Sequence, residues 1–470
     1  MTEKTTRGWV LALASVASLM VALDTLVVTT ALTTIKADLG ASIEQLEWTV
    51  NAYNLGLAVL LMTAAAIGDR FGRRRMFVVG IAIFVAASAA CALSGSVGAL
   101  IAARAVQGAG AALVLPLSLA IVSAAYPAER QASAIGILMG VTGLSVASGP
   151  VIGGAIAQGI SWQWIFWINV PLGLVLIPLV LTKIRESHGP DAALDGPGVV
   201  LATVGALGVV WGLVRGNAAG WGSIEVLGTL IAGALVLVAF VLWELRAREP
   251  MLPMSLFASR AFSAGNAASF LGFASLLGAV FFVSQFLQTG LGNDPLGAGL
   301  RQLPWTATLF ICAPIAGPLT DRYGARPFMI GGLLLQSVGM GWIALVASPD
   351  MAYGELIAPM IVAGCGISMA IPGMQSSVVG AVPRELVGKA AGANTMMRQL
   401  GGVFGIAIVV AIFSGAGSYL SPQEFSDGFV PAIAVSAGLS LAGAFASVAL
   451  QPKTQKDGVP ALVGVIAEAE

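Results

Sequence analysis

A single carboxylate, Asp24, interrupts an apolar run over residues 9–31. A charge near the middle of a bilayer costs roughly 2.5–3.5 kcal/mol on insertion scales, so such a group faces a cavity or a partner. Burial penalises the ionised form, which lets a carboxyl there exchange protons near physiological pH; the alternative is a structural, hydrogen-bonded Asp. Arg104, beside Gln107 and Gly108 in another apolar run, is the candidate partner or relay, because a buried guanidinium needs an acceptor. The alternative for it is a buried Arg that holds helix ends together. Asp24 and Arg104 are therefore the predicted proton-coupling residues. Cys91, Cys312 and Cys365 lie in apolar runs without paired spacing and read as packing residues, not disulfides or metal ligands. The lone histidine, His188, lies in a polar stretch, and no set of nucleophile, base and metal ligands suggests an enzyme.

A second kind of chemistry sits in two charged loops, Gly68-Asp69-Arg70-Phe71-Gly72-Arg73-Arg74-Arg75 and Thr320-Asp321-Arg322-Tyr323-Gly324-Ala325-Arg326. An Asp can accept hydrogen bonds at a neighbouring helix N-terminus, where the macrodipole favours negative charge, while Arg can pair with acids or lipid phosphates. Such contacts could hold one side shut, which makes Asp69, Arg70, Arg73, Arg74, Asp321, Arg322 and Arg326 gating candidates, a role carried mostly by the family these loops resemble. The competing account is that these charges only set topology.

These residues must be positioned by membrane helices. The chain is 57% hydrophobic and 10% charged, with zero formal net charge, a pI near 6.6 and a mean hydropathy of +0.91. Soluble domains carry about a quarter charged residues. An all-α integral membrane protein follows, and nothing points to nucleic acid. A span needs roughly 20 apolar residues, and fourteen runs fit: 9–31, 47–68, 76–94, 98–125, 132–158, 164–182, 197–215, 224–245, 262–289, 301–320, 328–347, 355–378, 389–415 and 429–450. Eighteen of the 23 Lys and Arg residues fall on one side. Lys36, Arg215 and Arg301 fall on the other, and Arg104 and Arg398 lie within spans. The positive-inside rule makes both termini cytoplasmic in a multi-pass protein of the cell membrane.

The charged loops are 252 positions apart, and Gly110/Gly366, Pro116/Pro372, Pro127/Pro383 and Gly136/Gly392 are each 256 apart. Six helices thus repeat six helices in the same orientation, and the extra offset accommodates two inserted spans. The predicted organisation is a six-helix bundle over 1–190, two inserted helices over 191–255, a second six-helix bundle over 256–452 and a cytoplasmic tail over 453–470.

The repeated Asp-Arg-x-Gly-Arg-Arg loop resembles that of the major facilitator superfamily. Leu23-Asp24-Thr25, the stretch Gly143 to Gly149-Pro150-Val151-Ile152-Gly153-Gly154, Trp164 to Asn169-Val170-Pro171, and Asn394-Thr395 with Arg398-Gln399-Leu400-Gly401-Gly402 resemble its fourteen-helix drug–proton antiporter branch. The resemblance covers nearly the whole chain and fails only after Pro452. It implies alternating access, links Arg104-x-x-Gln107-Gly108 to proton transfer, and links the Gly149, Pro150 and Gly153 region to gating and export. The spacing of these last residues alone establishes tight helix packing and a bend. The branch also implies a monocationic or neutral cargo, because no acid precedes Asp321 in the tenth span.

The predicted substrate cavity draws on polar and aromatic residues of the spans: Thr25, Thr29, Asn51, Tyr53, Asn54, Gln107, Gln285, Gln288, Trp305 and Asn394. Some of these are expected to bond between helices instead. The expected partners are a lipophilic small molecule, protons and membrane lipids, with the protein acting as a monomer. No cofactor is expected; no G-x-x-x-x-G-K-[ST] loop is present, so a proton gradient is the predicted driving force. A proton-coupled importer and a non-transporting receptor remain alternatives.

Overall fold

A computed structural model describes residues 3–189, 194–383 and 386–450. The expected tail over 453–470 lies outside the described residues, as do Arg384, Lys453 and Lys456 of the charge pattern. Every regular element described is helical. The first bundle holds α1 (Glu3–Leu39), α2 (Ile43–Phe71), α3 (Arg73–Ala92), α4 (Val97–Ala125), α5 (Ala128–Gly159) and α6 (Trp164–Lys183). The inserted hairpin is α7 (Gly196–Ala219) and α8 (Ile224–Glu244). The second bundle holds α9 (Arg260–Gly290), α10 (Pro295–Tyr323), α11 (Ala325–Val346), α12 (Gly354–Val379), α13 (Val387–Ala416) and α14 (Pro422–Val448). All fourteen are long and apolar enough to cross a membrane.

The starts of these helices are written in the sequence. Ser42, Ser96, Asp195, Ser223, Ser259, Asp294 and Ser421 each accept a hydrogen bond from the backbone N–H three residues on, satisfying one of the donors a helix start leaves open. At Ser42 the box is reciprocal, since Gln45 Oε1 accepts from the Ser42 N–H at 3.0 Å. The cap at Ser421 explains why α14 begins seven residues before the apolar run suggested, and α1 continues eight residues past Ala31 to Leu39. α10 is broken into Pro295–Arg301, Leu303–Thr306 and Thr308–Tyr323; Pro304 stands at the start of the middle piece, and Pro314 and Pro318 remove backbone donors inside the last.

The repeat is a repeat of contacts. Gly110 of α4 lies against Gly80 and Phe84 of α3, and Gly366 of α12 lies against Gly332 and Gln336 of α11. Between membrane helices, where lipid removes the usual hydrophobic drive, such small-residue approaches supply van der Waals contact. The loops that join α2 to α3 and α10 to α11 turn at Gly72 (φ 105°) and Gly324 (φ 90°), 252 positions apart, in the left-handed region that favours glycine.

With fourteen spans, α1 begins and α14 ends on one side, termed the near side; the opposite side is the far side. The bundles meet along one flank where Leu55 and Val59 of α2 join Val403 of α13, and α7 packs behind both through Val210 and Val214. On the far side α1 meets α9, and α5 meets the first piece of α10.

Candidate proton-coupling site and gates

The buried site is assembled by α1, α3, α4 and α6. Asp24 is 2% exposed and Arg104 0%. Arg104 Nη1 donates to Asp24 Oδ2, and it also donates to Gln107 Oε1 at 2.6 Å. Asp24 Oδ1 accepts from Gln107 Nε2 at 2.9 Å and from Asn169 Nδ2 at 3.2 Å. Ser88 Oγ accepts from both amides, at 2.7 and 3.3 Å. Arg104 Nε donates to the Thr49 carbonyl at 3.1 Å, and the guanidinium lies 4.2 Å from the Tyr53 ring centroid. A charge pair taken out of water is tolerable when its remaining donors and acceptors are met, and here they are met by neutral amides. The arrangement ties one carboxylate and one guanidinium to four helices through neutral side chains.

Asn169 and Ser88 are members the sequence reading did not assign. Asn169 carried a signal, as an amide inside Trp167-Ile168-Asn169-Val170-Pro171; Ser88 sits among alanines and carries none. Among the described residues the second bundle has no such site. At the repeat offsets, Asp24 corresponds to the stretch Leu276 to Val280, Arg104 to Met360 and Gln107 to Ala363. Met360 and Ala363 are buried in the apolar core.

The sequence profile of the Major Facilitator Superfamily matches residues 14–311 and again 266–464. The chain belongs to this superfamily. It is 36% identical over 431 residues to the tetracenomycin C resistance and export protein of Streptomyces glaucescens, covering 91% of this chain and 80% of that one. It is 34% identical over 444 residues to a cephamycin export protein of Amycolatopsis lactamdurans, covering 91% and 90%. Among solved structures, a POT family transporter in complex with a thioalcohol-conjugated peptide superposes with a TM-score of 0.70 at 16% identity, over 92% of this chain and 94% of that one. The fourteen-helix branch of the superfamily fits the span count.

The ten residues predicted for a substrate cavity are not brought together in this conformation of the transporter. Gln107 belongs to the Asp24 network. Tyr53 is fully buried, and its hydroxyl donates to the Val21 carbonyl at 3.1 Å. Trp305 is buried at the equivalent place in the second bundle. Asn394 ties α13 to α9 through Ser269 Oγ (2.8 Å) and Asn266 Oδ1 (3.3 Å). Gln285 accepts from the Tyr419 hydroxyl, and Thr25 and Thr29 donate back to Val21 and Leu26 of their own helix. Gln288 crosses between the bundles: it accepts from Thr33 and donates to the Thr30 carbonyl at 3.1 Å.

Asn51 and Asn54 share a face with a buried acid the sequence reading overlooked, Glu47, because it fell at a span edge. Glu47 Oε1 accepts from Asn51 Nδ2 at 3.1 Å; Glu47 Oε2, Asn51 Oδ1 and Asn54 Oδ1 have no partner among the described residues. Cys312 and Cys365, read from the sequence as packing residues, are free thiols whose sulfurs lie 3.2 Å apart between α10 and α12.

At the first charged loop Asp69 pairs with Arg73 at 2.7 Å, and the Asp69 carbonyl accepts from the Gly189 N–H at 3.1 Å. The helix start is capped by another acid. Glu186, beyond α6, accepts from the N–H groups of Arg74 (2.8 Å) and Arg75 (3.2 Å) and lies 3.7 Å from Arg74 Nε. The loop is thus bound within its own bundle. Its signal in the sequence was the acid in Lys183-Ile184-Arg185-Glu186. Arg70 lies 5.5 Å from the Phe71 ring, and in the second loop Arg322 lies 5.2 Å from the Tyr323 ring. Asp321 and Arg326 stand at the matching turn of α10 and α11.

The far-side seam is built from the Gly149–Gly154 stretch. Gly149 lies against Leu26, and Gly153 against Val27 and Thr30, both on α1. Gly154 faces the backbone of Pro295 and Leu296, while Gly299 faces the backbone of Pro150 and Val151, so each helix receives the other's peptide bonds. Gln158 Oε1 accepts from the Leu296 N–H at 3.2 Å, and Gln158 Nε2 donates to Asp294 at 3.0 Å, which ties the end of α5 to the start of α10.

Proposed function

We propose that the protein is a proton-coupled exporter of lipophilic small molecules that works by alternating access. The observation that carries this is the buried Asp24–Arg104–Gln107–Asn169 network, a carboxylate whose protonation would change the charge balance of one bundle and leave the other untouched. Export, as opposed to uptake, is supported by relatives that include a tetracenomycin C export protein and a cephamycin export protein. The near side is taken as cytoplasmic on the Lys and Arg bias, in the cell membrane, with the transporter acting as a monomer surrounded by lipid. The far-side seam then closes the outer face while cargo loads from the cytoplasm. Protonation of Asp24 from outside would release cargo, and proton loss to the cytoplasm would reset the pair. The driving force is the proton gradient, with no cofactor.

Reconstituted protein in vesicles with an imposed pH gradient tests this, with tetracenomycin C, a cephamycin and a lipophilic monocation as trial cargo. Accumulation that collapses with the gradient and is absent in Asp24→Asn is the expected outcome. Asp24→Asn protein that still accumulates cargo against a gradient sinks the proposal.

A further inference from the structure

Among the described residues of the second bundle, Arg398 alone carries a charge more than seven residues from a span end: it stands eleven residues past Val387 and eighteen before Ala416. Its guanidinium carbon lies 4.1 Å from the Phe273 ring centroid, and Phe273 belongs to the cluster holding Ile367 and Met374 of α12. That ring is its partner in the protein. Arg398 is half-buried, and none of its nitrogens is among the sealed, unsatisfied atoms, so each keeps some accessible surface.

Among the described residues no acid is placed to compensate it. Asp24 is engaged by Arg104. Asp294, Asp321, Glu355, Glu424 and Asp427 all lie at or near span ends. Glu47, four residues in from the far end of α2, is separated from Arg398 by about fourteen residues of helix rise, on the order of 20 Å. The Asp24–Arg104 pair cancels itself, so the mid-membrane charge left over is positive. In a low-dielectric seam a second cation would be repelled and an anion drawn in. A guanidinium with its fork of donors unmet matches the two oxygens of a carboxylate.

We propose that Arg398 is an anion-recognising residue of the transport cavity and that the cargo carries an ionisable acid, a carboxylate or an acidic phenol. This rests on the exporter reading and replaces the monocationic or neutral cargo that the resemblance implied.

Three probes sharing one ring separate the charges: anthracene-2-carboxylate, its carboxamide and (anthracenylmethyl)trimethylammonium, each titrated against purified full-length protein with empty micelles subtracted. The wild type is expected to bind the carboxylate at least tenfold more tightly than the amide or the ammonium. Arg398→Gln should bring the carboxylate down to the amide's affinity, and Arg398→Lys should retain part of the preference. Unchanged amide binding by Arg398→Gln serves as the check that the variant is folded. A wild type without preference for the carboxylate, or one that does not bind it, overturns the proposal, as does Arg398→Gln that binds it like the wild type. Failure of the exporter reading looks different: the anion preference stays, while no probe is moved by a pH gradient in vesicles.

Discussion

Tyr53 and Trp305 occupy equivalent places in the two bundles, each with its backbone against a glycine two helices further on, Gly108 of α4 and Gly364 of α12. Only Tyr53 also carries a guanidinium on its ring. Gly108→Ala should therefore disturb both packing and the seat of Arg104, whereas Gly364→Ala should disturb packing alone. Overpacking at each site costs about 1–3 kcal/mol. Thermal unfolding in detergent and vesicle transport separate the two, since transport per folded molecule falls for the first variant and holds for the second.

The Asp24–Arg104 pair should be costly to break and cheap to remove whole. Arg104→Met leaves a buried carboxylate alone and is expected to lose about 3–5 kcal/mol, while Asp24→Asn with Arg104→Met recovers much of it. Denaturation of the two single variants and the double variant gives the coupling energy. Additive losses would mean that the pair is not a unit.

Gly154→Val places a branched side chain where the Pro295 and Leu296 backbone now lies. The far side should then open more often. In a background lacking Cys91, Cys312 and Cys365, a reporter at Gln288→Cys is expected to react several-fold faster with an impermeant maleimide added from the far side. An unchanged rate would show that the seam is not what closes that face.

Glu186→Ala should cost about 1–2 kcal/mol, the worth of a charged cap at a helix start plus a half-exposed ion pair. Because the same carboxylate fixes the loop carrying Arg73 and Arg74, transport should slow in the same proportion as for Asp69→Asn. A variant with full transport would make Glu186 a cap and nothing more.

How much was legible in the sequence follows from what kind of signal each residue carried. The spans and the repeat were legible because apolar run length and glycine at fixed offsets are local facts. Asp24 and Arg104 stood out because a lone charge in such a run has few explanations. The partners of that pair did not: Ser88 reaches Asp24 only through Gln107 and Asn169, by the packing of α3 on α4 and α6, and no property of a serine among alanines announces it. The cavity list erred toward polarity as a sign of openness. Asn394, Gln285 and Tyr53 are polar because helices need hydrogen bonds between them as much as cargo does. Glu47 was passed over because it is the first residue of the apolar run 47–68, whereas the helix starts four residues earlier at Ile43.

Asp195 offers a test by pH. Burial pushes its carboxyl up, but hydrogen bonds from the Gly198 N–H, the Trp243 indole (2.8 Å) and the Met251 N–H outweigh that and hold it below its ordinary value. The folded value is depressed, so its stabilising contribution is present above the unfolded value of about 3.9 and is lost as pH falls through the folded one. Asp195→Asn should lower Tm at pH 7 and lose that difference toward pH 3. A Tm deficit that is the same at every pH would rule out the ionised cap.

The inserted hairpin stands behind one flank only. Along α2 and α13 the two bundles stay in touch from Leu55 and Val403 to Met62 and Gly392, with α7 sealing the outside. On the other flank, α5 and α10 are joined on the far side, down to Gly143 and Leu309. The inserted helices therefore back the flank along which α2 and α13 already touch, while the α5–α10 flank is joined without them.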